Sequence, residues 1–303
     1  MTTTPIAVGG LQMPTPGPLG AVRPTRFMAA WLPEPEAVTQ LLGRAPTPLD
    51  DLRAANEALT LARTAVQLRP TFVPSDPVVE GDRDLLDTIA SRPEMHADFP
   101  DVPWRVEMVD LTRVQAIQKM VFVDQLLPEK SVPDLQALAS ICLPVGQPAP
   151  PMAVMPDNDG FTMSSASPNL RIISGQAHST LACAAPHLPP RQVQAVTFLV
   201  DTPTSYVQVA HYEGRYFLRD GNHRAAGLLR AGITQVPTVV IDAPSFQFVA
   251  PQPGLFDYQV AFSERPPLVT DFWDSSAAAD GWQPKAYRAV RVSATQFPVP
   301  AYE

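Results

Sequence analysis

Hydrophobic positions recur along this chain with two different periods, and the change from one to the other divides it. Leu52, Ala55, Leu59, Ala62 and Val66 recur at three- and four-residue spacing, which lays them on one face of a helix. Thr47 is a good N-cap for that helix, Pro48 suits its first position, Asp50 stands where a capping-box acid would, and Pro70 ends it. A shorter helix is predicted over 82–91, with Leu85, Leu86 and Ile89 inward and Pro93 closing it. Residues 104–109 read as a strand with imperfect alternation. Thr112 then opens a predicted helix through Gln115, Gln118 and Lys119, and Ser131 opens another with Leu135, Leu138 and Ile141 inward. The proline-rich stretch 146–151 reads as an internal linker. Beyond it the pattern is that of strands, at 170–174, 193–200, 206–212, 215–218 and 236–241, rich in valine, isoleucine and aromatic residues. Glu213-Gly214 predicts a hairpin turn, and 287–292 a last strand.

Composition changes this picture in a few places. The 303 residues are 45% hydrophobic and 17% charged, which is globular and long enough to bury a substantial core. Thirty-six prolines, each without an N–H and with a fixed φ, demand many loops and short elements. The net charge of −8 and the scattered lysines, Lys119, Lys130 and Lys285, count against gripping a nucleic-acid backbone. Cys142 and Cys183 form neither a CxxC motif nor a disulfide framework; Cys142 reads as a small buried hydrophobe. The first residues lack a basic segment followed by an apolar one, and no stretch approaches the ~20 apolar residues of a membrane span. The expectation is a soluble cytoplasmic protein. Its expected divisions are an irregular arm at 1–30, a helical region at 31–99, an α/β domain at 100–245 with an insertion near 125–190, and an aromatic extension at 246–303 packed on the body.

The chemistry concentrates in residues 215–241. A strand ends at Arg219-Asp220, Gly221 permits a tight turn, and Asp220 or Asn222 can cap the helix that follows. Ala225, Leu228 and Leu229 face inward, Gly232 stands at the C′ position with Ile233 behind it, and Val236-Pro237 opens a buried strand. A helix N-terminus offers unpaired N–H groups and partial positive charge, so it attracts anions. His223 and Arg224 fall in the first turn, where two cations oppose the helix dipole; a bound anion gives them a reason to be there, and arginine holds phosphate bidentately.

The segment Asp220-Gly-Asn-His-Arg224, followed by Ala-Ala, a leucine pair, Ala-Gly-Ile and Val-Pro, resembles the signature helix of the ParB/sulfiredoxin superfamily. A weaker match, 106–115, is similar to that family's opening strand and the segment that carries its glutamine. The resemblance implies a compact mixed sheet with short helices and a nucleotide, ATP or CTP with Mg2+, whose phosphates contact Asp220, Gly221, Asn222, His223, Arg224 and Gln115. It makes His223, Glu107 and Asp110 the catalytic candidates of a phosphotransferase or nucleotide hydrolase. Two other classes stand open: a nucleotide-gated binding module without catalysis, and a nucleic-acid-binding or nuclease-type protein, which is not favoured. Asn222 stands where sulfiredoxin has cysteine, so sulfinic-acid reduction is not expected; the Gly-Glu-Arg-Arg form of the partition CTPases and a following helix-turn-helix are both missing. The bland alternative is a strand–turn–helix whose polar residues only cap and pair. No metal site of the protein's own is predicted, since Asp220 or His211 with His223 is a loose set and His178 and His187 beside Cys183 read as loop.

Overall fold

The computed structural model describes residues 22–42, 49–126, 134–147, 151–157, 160–165, 170–183, 191–251, 254–284 and 288–293. The expected cap at Thr47 and Pro48 and the helix start at Ser131 lie outside them, as does His187. The protein is mixed α/β, with several small sheets and short helices. It divides into two units: Met1–Gly146 with Ser205–Lys285, and Gln147–Thr204 with Ala286–Glu303. The first break falls at the start of the proline-rich stretch, where few contacts are expected to cross.

The first unit begins with β1 (Val22–Phe27), α1 (Glu34–Leu42) and α2 (Leu49–Gln67). Ala55, Leu59, Ala62 and Val66 are indeed the buried face of α2. There follow β2 (Val78–Val79), α3 (Arg83–Ala90), α4 (Pro93–Asp98) and β3 (Trp104–Asp110). Asp82 caps α3 by accepting from Leu85 N at 3.1 Å. Pro93 does not merely close α3; it occupies the first turn of α4, where its missing N–H costs nothing.

The helix expected from Thr112 to Lys119 does not form. Asp110 instead caps a single 3-10 turn, Leu111–Arg113, and the chain enters two short strands, β4 (Gln115–Ala116) and β5 (Met120–Phe122). After α5 (Leu135–Cys142), the second unit supplies β6 (Met152–Asp157), β7 (Gly160–Ser165), β8 (Arg171–Cys183) and β9 (Arg191–Asp201). The first unit resumes with β10 (Gln208–Tyr212), β11 (Arg215–Asp220), α6 (Asn222–Arg230) and β12 (Gln235–Asp242). It ends with α7 (Phe246–Val249), α8 (Tyr258–Ala261) and β13 (Ala279–Pro284), while β14 (Arg288–Ser293) belongs to the second unit. The expected C-terminal extension is therefore divided between the two.

The central sheet of the first unit runs β2-β3-β12-β10-β11-β4. β10 and β11 form an antiparallel hairpin closed by Glu213 and Gly214, both at positive φ, as a primed two-residue turn requires. β12 lies parallel to β10 and antiparallel to β3, and its residues 236–241 are all buried, which explains their unbroken apolar run. A second sheet, β13-β1-β5, ties the two ends of the unit together. The arm expected to extend to residue 30 is thus a central strand from Val22. Pro24 is tolerated there because it is paired only with Trp282 of β13, the β5 ladder starting at Thr25. The aromatic segment after Ser245 packs on the unit: Phe256 and Phe272 are buried, and Phe246 and Phe262 join Tyr212 and Phe217 in a ring cluster.

In the second unit β14-β7-β6 form one antiparallel sheet, and β8 and β9 pair as a long ribbon. Among the described residues no helix is long and apolar enough to cross a membrane.

Candidate anion site at the N-terminus of helix α6

Gly221 makes the sharp turn from β11 into α6. Its φ is +76°, and a Cβ there would stand 2.7 Å from Val207 Cα and 2.9 Å from Tyr206 O. Glycine is required twice over, for backbone conformation and for space. The other end of α6 closes as a Schellman motif: Ile233 N donates to Leu228 O at 2.9 Å and Gly232 N to Leu229 O at 3.0 Å. Both ends of this helix are fixed by local chemistry.

The expected caps are used differently. Asp220 accepts from Gly221 N at 2.7 Å and from the Ser205 hydroxyl at 3.2 Å, so it braces the turn and does not cap the helix. Burial pushes its carboxyl above the usual range, opposed by those hydrogen bonds and by the charges of Arg224 and Arg219. The N-cap is Gly221 itself, which has no side chain to offer, so the first N–H groups of α6 receive no side-chain cap. Asn222 is only 6% exposed, and its Oδ1 is buried with no hydrogen-bond partner among the described residues. His223 Nε2 is in the same condition.

His223 stacks nearly parallel on Phe122 of β5, with centroids 5.5 Å apart and planes 10° apart. Its pKa is lowered to about 4, first by burial and then by the positive charge of Arg23 and Arg224, with Asp124 opposing. The imidazole is therefore neutral at pH 7, and the cationic pair read from the sequence is one cation and one neutral ring in the free protein. Arg224 donates to Ser205 O; burial lowers its pKa, against the acids Asp220 and Cys142. Cys142 is buried, as its apolar neighbours suggest, and burial lifts its thiol to about 12.

Gln115, expected in a helix, lies instead in the central sheet. On β4 it pairs with Phe217 of β11, is fully buried, and donates to Ala261 O at 2.8 Å. The parallel direction of β4 then carries the chain toward the turn at Gly221, and Phe122 is the residue that arrives there.

Glu107 and Asp110 are not brought to α6. They stand on β3, three strand positions from β11 and so about 14 Å across the sheet. Glu107 is buried and pairs with Arg83 at 2.8 Å beside a surface cavity of about 460 Å³ that His96 and Trp104 also line. Asp110 is occupied by the Thr112 amide and hydroxyl, at 3.0 and 2.7 Å. Arg219, which departs from the family pattern, is taken up by Phe248 O and Gln208 at 3.0 and 2.7 Å.

Sequence reasoning missed Arg23, Phe122 and Asp124. Arg23 lies 4.0 Å from the centroid of Phe122 and is paired with Asp124 at 2.8 Å. No local signal marks them, because β1 and β5 meet only in the fold. Among the described residues no group of three or more His, Cys, Asp or Glu side chains is placed to hold a metal ion. Compared with protein-family models, with curated proteins and with solved structures, the chain matches none.

Proposed function

We propose that the chain binds the phosphates of a nucleoside triphosphate, ATP or CTP, at the N-terminus of α6. One observation carries the reading. The helix begins without a side-chain cap, and two polar atoms of its first turn, Asn222 Oδ1 and His223 Nε2, are buried with no partner among the described residues, in the same turn as Arg224. Burying a polar group unpaired costs roughly 1–3 kcal/mol, so two in one turn are well explained by a ligand that pairs them. The backbone N–H groups would donate to phosphate oxygens, and so would Asn222 with its side-chain amide turned so that Nδ2 stands where the orphaned Oδ1 does, because phosphate oxygens only accept; Arg224 would add its charge. The likeness of Asp220–Arg224 to the ParB/sulfiredoxin motif supports the same assignment.

Mg2+ would enter with the phosphates. Asp220 is engaged by Gly221 and Ser205, and Asp124 by Arg23, so neither is offered as a free metal ligand. Binding is the part of the reading that the geometry supports. A phosphotransferase or hydrolase reaction would draw its base from His223, which is neutral and beside the site, and not from Glu107 or Asp110.

The test is calorimetric titration with ATP, CTP and GTP, with and without Mg2+, on the parent and on Arg224→Ala. Removing a buried partner of a bound charge costs about 2–5 kcal/mol, so the variant is expected to bind roughly thirtyfold more weakly or worse. A melting curve of Arg224→Ala separates lost binding from lost folding, since Arg224 also holds Ser205 O. A folded variant with parental affinity would place the phosphate elsewhere.

A further inference from the structure

We propose that Arg23 is a second cationic arm of this site, and that the site therefore selects a di- or triphosphate over a monophosphate. The inference rests on reading the α6 N-terminus as a phosphate site, and it adds a residue from a different sheet.

Thr25 of β1 pairs with Phe122 of β5, so the Phe122 ring and the side chains of Arg23 and Thr25 share one face of that sheet. The His223 ring lies against Phe122 on this face, within reach of the Arg23 charge. Thr25 is fully buried, and its Oγ1 is another polar atom with no partner among the described residues. The face thus collects an arginine, a neutral imidazole and an orphaned hydroxyl around one aromatic ring. Arg224, in the first turn of α6, is braced on Ser205 O. The charges of both arginines act on His223, in the first turn of α6. A single phosphate engages one arm; a chain of two or three phosphates engages both.

Asp124 explains how Arg23 is kept ready. The Arg23 side chain is only 11% exposed, yet both its Nε and its Nη2 are directed at one oxygen, Asp124 Oδ1, at 3.2 and 2.8 Å. The Asp124 side chain is 42% exposed. A buried guanidinium held by a half-exposed carboxylate is a cation with a replaceable counter-ion: a ligand phosphate takes the place of Asp124 and the carboxylate turns to water.

The experiment titrates the full chain with inorganic phosphate, pyrophosphate and tripolyphosphate, alongside Arg23→Gln and Asp124→Asn. The parent is expected to bind pyrophosphate about tenfold or more tightly than phosphate, the gain of one further charge-assisted contact. Arg23→Gln should lose that preference, its affinity for pyrophosphate falling to within about twofold of its own affinity for phosphate. Asp124→Asn, which removes the competing carboxylate, should tighten pyrophosphate. If Arg23→Gln fails to fold, the Asp124→Asn result decides. Parental preference in Arg23→Gln, or parental pyrophosphate affinity in Asp124→Asn, would overturn the proposal while leaving the α6 site standing. A parent that binds none of the three anions would remove the α6 reading itself.

Discussion

His223 shows how one side chain's surroundings become a property of the whole chain. Free in an unfolded chain it titrates near 6.5, and in the folded protein near 4, because burial and two arginines oppose its charge. Between these values the unfolded state binds the proton and the folded state does not. Stability from this residue is therefore complete above pH 6.5 and is lost as the pH falls toward 4, by roughly 3 kcal/mol in all. His223→Phe keeps an aromatic ring against Phe122 and cannot titrate. Urea unfolding of parent and variant at pH 7.5 and 4.5 should show the variant losing about 2.5 kcal/mol less on acidification, most of the full effect. Equal acid sensitivity in the two would mean that His223 is solvated in solution.

At the scale of the element, α6 poses two glycines against each other. Gly221 and Gly232 have nearly the same backbone, φ +76° and +80°. They differ in what surrounds them: a Cβ on Gly221 meets the backbone of Val207 and Tyr206, and one on Gly232 meets nothing within 4 Å. Gly232→Ala should cost about 1 kcal/mol, the conformational preference alone. Gly221→Ala should cost about 3 kcal/mol or more, since overpacking against rigid backbone is added. Chemical denaturation of both variants measures this, and equal costs would show that the turn relaxes. The same helix shows what was legible in the sequence. Its strand, turn, C′ glycine and following strand were all readable, because each obeys a rule spanning a few residues. β4 was misread as helix because its partner is Phe217, about a hundred positions away, and pairing overrode a local pattern. β1 was misread as an arm for the same reason: its proline content is local, whereas its partners β5 and β13 are distant. Of the proposed site, Gly221 to Arg224 stand together in the sequence, whereas Arg23, Phe122 and Asp124 do not, because only the fold brings them to one place.

For the whole molecule, the division into units makes a prediction of its own. The second unit carries four arginines and four acidic residues, so the excess negative charge belongs entirely to the first. The elements that build the α6 site, β1, β5, β11 and α6, all belong to the first unit, and so does the core beneath them, from Leu59 and Leu86 to Val239 and Leu228. Within it Val207 N donates to Cys142 O at 2.8 Å, which brings the chain on either side of the inserted segment together. Replacing 147–204 by a short Gly/Ser linker therefore closes a small loop, and closure entropy grows only slowly with length, at about 0.6 kcal/mol per doubling. A chain shortened in this way and ended at Lys285 should unfold in one cooperative transition and should bind pyrophosphate with the affinity of the parent. Circular dichroism melting and calorimetric titration measure the two. A cooperative melt with lost binding would show that the second unit contributes to the ligand site. An unfolded product would show that the first unit depends on the second for its stability, and that the apparent division is one of contact density and not of independent folding.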